Sequence, residues 1–176
     1  MEIRLAESDD RADVLALTRA AFPDEDLRPL VTALFGRPET ACLMAGPPAD
    51  AGGYAVLTIC SVAGDDPTAR ATEQSVALLG PVAVRPDLQR RGIGQALIRA
   101  GINRMRADGR AAIFVLGDPA YYGRFGFVPT AVVPPYGLPD AWAEAWRALP
   151  LVPQAVEAGT LIVPEPWRHR ALWRDD

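Results

Sequence analysis

The chain of 176 residues contains no lysine: its 18 basic residues are all arginine, set against 22 aspartates and glutamates for a net charge of −4. That absence removes several chemistries at once. A Walker-A phosphate loop ends in a lysine, a protein kinase needs a lysine on a strand, and pyridoxal or Schiff-base enzymes react through a lysine amine. The acidic balance also argues against nucleic acid and anionic membrane as partners, because both call for a basic face. Histidine is nearly as scarce. His169 stands alone near the C-terminus, and no G-x-S-x-G elbow occurs, which argues against Ser-His-Asp and Cys-His hydrolases. Cys42 and Cys60 lie far apart and form no C-x-x-C pair. A His/Cys metal site therefore lacks ligands, no metal is expected, and the two cysteines read as buried thiols in a reducing cytoplasm. Apolar runs such as 111–117 end well short of the roughly 18 residues a membrane span requires. The opening Met1-Glu2-Ile3-Arg4 enters structure directly, without a cationic-then-apolar signal segment, so a cytoplasmic location is expected.

Hydrophobic residues make up 49% of the chain, enough for the core of a single domain. Residues 2–5 read as a strand. Ser8 is placed as an N-cap, with Asp9 and Asp10 in the first turn where the helix dipole favours negative charge. Val14, Leu15, Leu17, Thr18 and Phe22 follow at helical spacing until Pro23. Leu27, Leu30, Val31, Leu34 and Phe35 give a second short helix, with Pro29 in its first turn. Strands are expected over 40–45 and 54–62 around a turn-rich 46–53, then a loop over 64–71. Residues 75–84 form an apolar strand whose Gly80-Pro81 predicts a bulge or a splayed end. A helix opens at 89–94 and stops at Gly109, and 111–116 is another buried strand. Together 75–116 make a right-handed strand–helix–strand crossover. A short helical turn at 118–122, a strand over 127–133, a helix over 138–149 bearing Trp142 and Trp146, and a last strand at 160–163 complete one α/β domain with a mixed sheet.

The stretch that carries chemistry runs Val82-Ala83-Val84-Arg85-Pro86-Asp87-Leu88-Gln89-Arg90-Arg91-Gly92-Ile93-Gly94. A loop between a buried strand and a helix start presents unpaired N–H groups, and glycines let an anionic phosphate approach them. Arg90 and Arg91 add positive charge there. As a Rossmann fingerprint the segment fails, since the third glycine position is Leu97.

Gln89-Arg90-Arg91-Gly92-Ile93-Gly94 is similar to the Q/R-x-x-G-x-G/A signature of the GNAT superfamily of acyl-CoA-dependent N-acetyltransferases, and V-R-P precedes it as is typical there. Tyr122-Gly123-Arg124-Phe125-Gly126-Phe127 resembles the family's Y-x-x-x-G-F segment. The stretch 114–127, with V-L-G-D-P-A-Y-Y-x-R-F-G-F, looks like the bacterial YhbS-like branch. The resemblance is firm over 76–128, looser before, and weak after Val133, so 134–176 is expected to be a less typical C-terminal extension of a single domain spanning 1–176.

The resemblance implies a GNAT-like α/β fold: a central mixed, mostly antiparallel sheet with splayed central strands, flanked by helices. It implies acetyl-CoA as co-substrate. Val82, Ala83 and Val84 would offer backbone groups to pantetheine, with an N–H of the Val82 region on the thioester oxygen. Gln89, Arg90, Arg91, Gly92, Ile93 and Gly94 would hold the pyrophosphate. Asp118 and Tyr121 would lie beside the cofactor, and Tyr122 would be the general acid that protonates the departing thiolate, with Tyr121 as the fallback. The acceptor, a small-molecule or peptide amine, would attack directly. Many family members carry an asparagine ahead of the tyrosine helix where this chain has Asp118-Pro119. No glutamate in 75–84 can serve as base, which leaves Glu73, Asp24, Glu25 or Asp26. The alternatives are a catalytically silent CoA-binding sensor or scaffold, and an enzyme using a longer acyl-CoA. Gly92 and Gly94 as mere packing glycines, and Asp24-Glu25-Asp26 as a solvated cap, are the plainer readings. Trp142, Trp146, Trp167 and Trp173 read as packing for a C-terminal lobe; an acceptor pocket or a homodimer interface is the other reading. His169 has no evident partner.

Overall fold

A computed structural model describes residues 1–64 and 73–174. The loop expected over 64–71 lies outside the described residues from 65 onward. Nine strands occur among the described residues: β1 (Ile3–Leu5), β2 (Thr40–Ala45), β3 (Gly53–Ala63), β4 (Gln74–Val84), β5 (Ala112–Leu116), β6 (Val128–Pro129), β7 (Ala131–Val133), β8 (Trp146–Pro150) and β9 (Ala158–Ile162). They form one sheet in the order β1-β2-β3-β4-β5-β8-β6, and β9 joins β3 and β7. The pairings β1–β2, β2–β3, β3–β9, β5–β8 and β6–β8 are antiparallel and β7–β9 is parallel. Helices α1 (Arg11–Ala21), α2 (Arg28–Leu34), α3 (Ile93–Ala107) and α4 (Pro119–Gly123) flank it. The mixed, mostly antiparallel α/β fold is the one expected.

The chain divides into two compact units, one of residues 1–58 and 79–104, the other of 59–78 and 105 onward; β3, β4 and α3 contribute to both. In the first unit, the helical spacing of Val14 and Leu17, and of Leu30, Val31 and Leu34, buries one stripe of α1 and of α2. The Thr18 hydroxyl donates to the Val14 carbonyl at 2.7 Å and accepts from the Tyr54 hydroxyl at 2.7 Å, so this buried pair is mutually satisfied. The N-terminal cap differs from expectation. Ser8–Asp10 forms a 3-10 turn, and Asp10 is 3% exposed rather than facing solvent at a helix start. Its carboxylate accepts from Arg4 at 2.6 and 2.7 Å and from the Glu7 N–H at 2.8 Å. A guanidinium on the neighbouring strand outweighs the dipole, and it holds the Asp10 carboxyl below its ordinary pKa.

In the second unit, Phe114 stacks on Trp146 at 5.5 Å, and Trp173 packs against both Trp146 and Trp167. The indole N–H of Trp146 donates to the Val132 carbonyl at 2.7 Å and that of Trp173 to the Trp167 carbonyl at 2.9 Å. Trp146, Trp167 and Trp173 are thus packing residues, while Trp142 is half-buried. The helix expected over 138–149 is instead a 3-10 turn, Asp140–Ala145, followed by β8. The i, i+4 spacing of Trp142 and Trp146 mimics a helix, but residues 146–150 alternate in burial and pair with β5 over their whole length. The strand expected over 127–133 is broken into β6 and β7 at Thr130, directly after Pro129, which has no N–H for a ladder. Helix α3 begins at Ile93 rather than Gln89, and Gly109 ends it at φ +75° with the Arg110 N–H on the Met105 carbonyl. The Ala111 N–H, entering β5, donates to the Ser75 carbonyl at the start of β4, so these two strands set out from the same end.

Candidate active site

In the first unit, the end of β4 leads through the 3-10 turn Pro86–Leu88 into the loop 89–92 and α3. Val82 and Val84 are half-buried and Ala83 is fully buried. The Ala83 carbonyl faces Gly53, where a Cβ would come within 2.6 Å of it, and the Arg85 N–H donates to the Gly52 carbonyl at 2.8 Å. Because backbone groups alternate along a strand, those of Val82 and Val84 point to the opposite edge of β4. There the Val84 carbonyl accepts from the Gln89 side-chain amide at 3.3 Å. Val82 and Val84, not Ala83, therefore present polar groups away from β3.

Arg90 (φ +62°) and Gly92 (φ +83°) both take the left-handed region, on either side of Arg91. Successive N–H groups in such a turn converge into an anion-binding concavity. The first intrahelical bond of α3 runs from the Ala96 N–H to the Gly92 carbonyl at 3.0 Å, so the N–H groups of Ile93, Gly94 and Gln95 precede any helical acceptor. Gln89, Arg90, Arg91 and Gly92 are exposed, and neither Arg90 nor Arg91 forms a salt bridge among the described residues. Arg85, by contrast, is tied to Asp87 at 2.8 Å and Asp50 at 3.1 Å. A Cβ on Gly92 would meet nothing within 4 Å, so this glycine is required by its backbone angle and not by packing. The side chain of Ile93 packs inward, leaving only its backbone to the loop.

Sequence reasoning missed Gly52 and Gly53. Side-chain atoms of Ile93 and Leu88 lie 3.0 and 3.1 Å from where a Cβ on Gly52 would be, and Ile93 and Leu97 lie 3.3 Å from one on Gly53. These two glycines let β3 back directly onto the strand end and the helix start. Their signal in the sequence is a Gly-Gly pair opening an apolar run, a pattern that by itself predicts a turn.

In the second unit, Asp118 caps α4: its Oδ1 accepts from the Ala120 N–H at 2.9 Å, and Pro119 fills the first helical position. The Tyr122 N–H donates to the Asp118 carbonyl at 2.9 Å. The Tyr122 ring lies over Gly117 and meets Tyr121 and Phe127 edge-on at 5.2 and 5.7 Å. Burial pushes the Tyr122 phenol up to about 12, with Tyr121 adding to the rise. Tyr121 is raised by burial against the opposing pull of Arg124, whose guanidinium sits 4.7 Å from its ring. Gly117 was also missed, since nothing local marks it.

Of the carboxylates considered as bases, Asp26 is held at about 2 by hydrogen bonds from Arg28, and Glu73 accepts from Ser61 at 2.5 Å. Asp24 and Glu25 are exposed on the connection between α1 and α2. His169 is exposed beside the 3-10 turn Arg170–Leu172. Among the described residues no group of His, Cys, Asp and Glu could hold a metal ion, and no helix is long and apolar enough to cross a membrane.

Comparison with known proteins gives this geometry a context. An 81-residue stretch is 40% identical to YjhQ of Escherichia coli K12, named an uncharacterized N-acetyltransferase, and covers 44% of this chain and 45% of that one. The chain thus matches under half the length of this curated relative. A GNAT family acetyltransferase from Brucella melitensis, solved in complex with acetyl-CoA, is 26% identical with a TM-score of 0.73 over 94% of this chain and 96% of that one. Escherichia coli YhbS, solved with CoA, shares the fold at a TM-score of 0.81 and 23% identity over 96% and 92%. Residues 11–127 match the acetyltransferase (GNAT) family, a span that takes in the loop 89–94 and Tyr122, and the chain belongs to that family.

Proposed function

We propose that this protein transfers an acetyl group from acetyl-CoA to the primary amine of a separate acceptor, a small molecule or a peptide, with no covalent enzyme intermediate. The observation that carries the reading is the loop ahead of α3, where left-handed Arg90 and Gly92 expose converging N–H groups beside two arginines that form no salt bridge among the described residues. That cradle fits a pyrophosphate. The outward-facing backbone of Val82 and Val84 fits the amide-bearing arm of CoA. Acetyl-CoA bound to the Brucella relative supports the same choice of donor.

In this reading the acceptor nitrogen attacks the thioester carbonyl carbon, a backbone N–H of the Val82 region stabilises the oxyanion, and the C–S bond then breaks. Tyr122 donates its phenolic proton to the leaving sulfur, while the amine's proton passes to water or a carboxylate. Burial keeps Tyr122 protonated throughout the neutral range, and the same desolvation raises the proton affinity of a thiolate beside it. The engaged states of Asp26 and Glu73 favour one other reading, a CoA-binding module without turnover.

A thiol-release assay with acetyl-CoA across a panel of primary amines tests the proposal. Turnover with at least one amine, lowered on the order of 10²-fold in kcat by Tyr122→Phe, is expected. Tight CoA binding without turnover on any amine would establish the silent module instead.

A further inference from the structure

A cavity lies at the other end of the first unit's sheet. It measures about 460 Å³, within the range of small-ligand pockets, and its wall includes Arg11, Phe35, Arg37, Thr40, Cys42 and Arg104. Thr40 starts β2 and pairs with Thr58, whereas Ala45 ends β2 opposite Gly53, the glycine that backs the loop 89–94. Five residues of strand, about 17 Å, separate the two ends. The cavity is therefore not the acyl-CoA site.

Its chemistry is unlike the rest of this acidic chain. Three arginines, from the start of α1, the turn after α2 and the last half of α3, meet one carboxylate, Glu7, on the wall. Arg11 lies over the Phe35 ring at 5.4 Å and forms no salt bridge among the described residues. Arg37 directs Nε to Glu39 at 2.6 Å, which leaves its two terminal NH2 groups for a further acceptor. Phe35, Leu5, Ala6 and Cys42 add apolar surface to the lining. Burial pushes the Cys42 thiol up to about 12, so it stays neutral and adds no negative charge.

We infer that this cavity binds a small organic anion, a carboxylate or phosphate monoester carrying a short apolar body. Guanidinium forks recognise both head groups bidentately, and the ring and small apolar side chains accommodate the body.

Calorimetry on the full chain with benzoate, phenyl phosphate and inorganic phosphate tests this. Benzoate or phenyl phosphate should bind, inorganic phosphate more weakly, and Arg11→Gln and Arg37→Gln should each lower the affinity by about tenfold or more. Both arginines are at the surface of the fold, and CoA affinity, measured in parallel, should not change in either variant. Binding that survives both substitutions, or no binding of any probe, overturns the inference. Equal affinity for inorganic phosphate and phenyl phosphate overturns its apolar half. Loss of CoA affinity together with probe binding would place the probes on the loop 89–94 and refute the second site.

Discussion

The ring of Tyr122 lies across the backbone of Gly117 so closely that a Cβ on the glycine would collide with Cε2 and come within 2.8 Å of Cδ2. Gly117 follows β5 directly, and Asp118 begins the cap of α4, so the phenol oxygen is placed by a ring resting on bare backbone. Gly117→Ala should push that ring aside. Displacements near 1 Å can cost about 10²-fold in rate, so kcat should fall by roughly tenfold to 10²-fold while the KM for acetyl-CoA changes little. In a Tyr122→Phe background the same substitution should add nothing. Additive losses in that double-mutant cycle would show that Gly117 acts by another route.

Gly53 makes the corresponding test for the first unit. Its missing Cβ lets the Ala83 carbonyl approach, and Gly53→Ala must move one strand or the other. Overpacking of this kind typically costs 1–3 kcal/mol, roughly. Denaturant unfolding should show that loss, and calorimetry should show weaker CoA binding, because the displaced backbone carries Val82 and Val84. Unchanged CoA affinity would separate this glycine from the site.

Arg90 should behave in the opposite sense for stability. A side chain in the left-handed region costs about 1–2 kcal/mol, which Arg90→Gly relieves. The expected outcome is a higher unfolding midpoint together with weaker CoA binding, since a charge beside the phosphate cradle is gone. A variant that binds CoA as well as the parent would remove Arg90 from the site.

Alkaline stability follows from buried neutral groups. Burial raises the Tyr122 phenol to about 12 and the Cys42 thiol to about 12, and raises Tyr54 as well. An unfolded thiol loses its proton near 8.5 and an unfolded phenol near 10. Above those values the unfolded state binds fewer protons than the native one, so stability falls as pH rises. The contribution of these groups is complete below about pH 8.5 and is lost progressively from there toward pH 12, with Tyr122 accounting for on the order of 2 kcal/mol. Denaturant midpoints measured from pH 8 to 11 should fall, and more gently in Tyr122→Phe. An equal slope in that variant would contradict the buried, protonated phenol.

The parts of this architecture that were legible in the sequence are those decided within a few residues. Gly92 reads as a phosphate-loop glycine, the helix after it begins where the apolar period begins, and Tyr122 follows a proline-started turn. What escaped depends on partners elsewhere in the chain. Gly53 matters because Ala83, thirty positions on, lies against it, and no local rule connects the two. Trp146 looked helical because Trp142 stands four residues before it; only pairing with β5 makes it a strand residue. The position of Asp10 in the sequence suits a helix dipole, but Arg4 on β1 faces it and takes the carboxylate. Local conformation is written locally, and the contacts that fix the site are not.

The placement of aromatic and thiol side chains has a practical consequence. All four tryptophans, Trp142, Trp146, Trp167 and Trp173, fall in the second compact unit, while the first has none and instead buries Cys42. Intrinsic fluorescence therefore watches one half of the molecule, and thiol labelling in a Cys60→Ser background watches the other. With these two native reporters, one heating or denaturant ramp tells whether the halves melt as one or in sequence, without any new residue being engineered in as a probe.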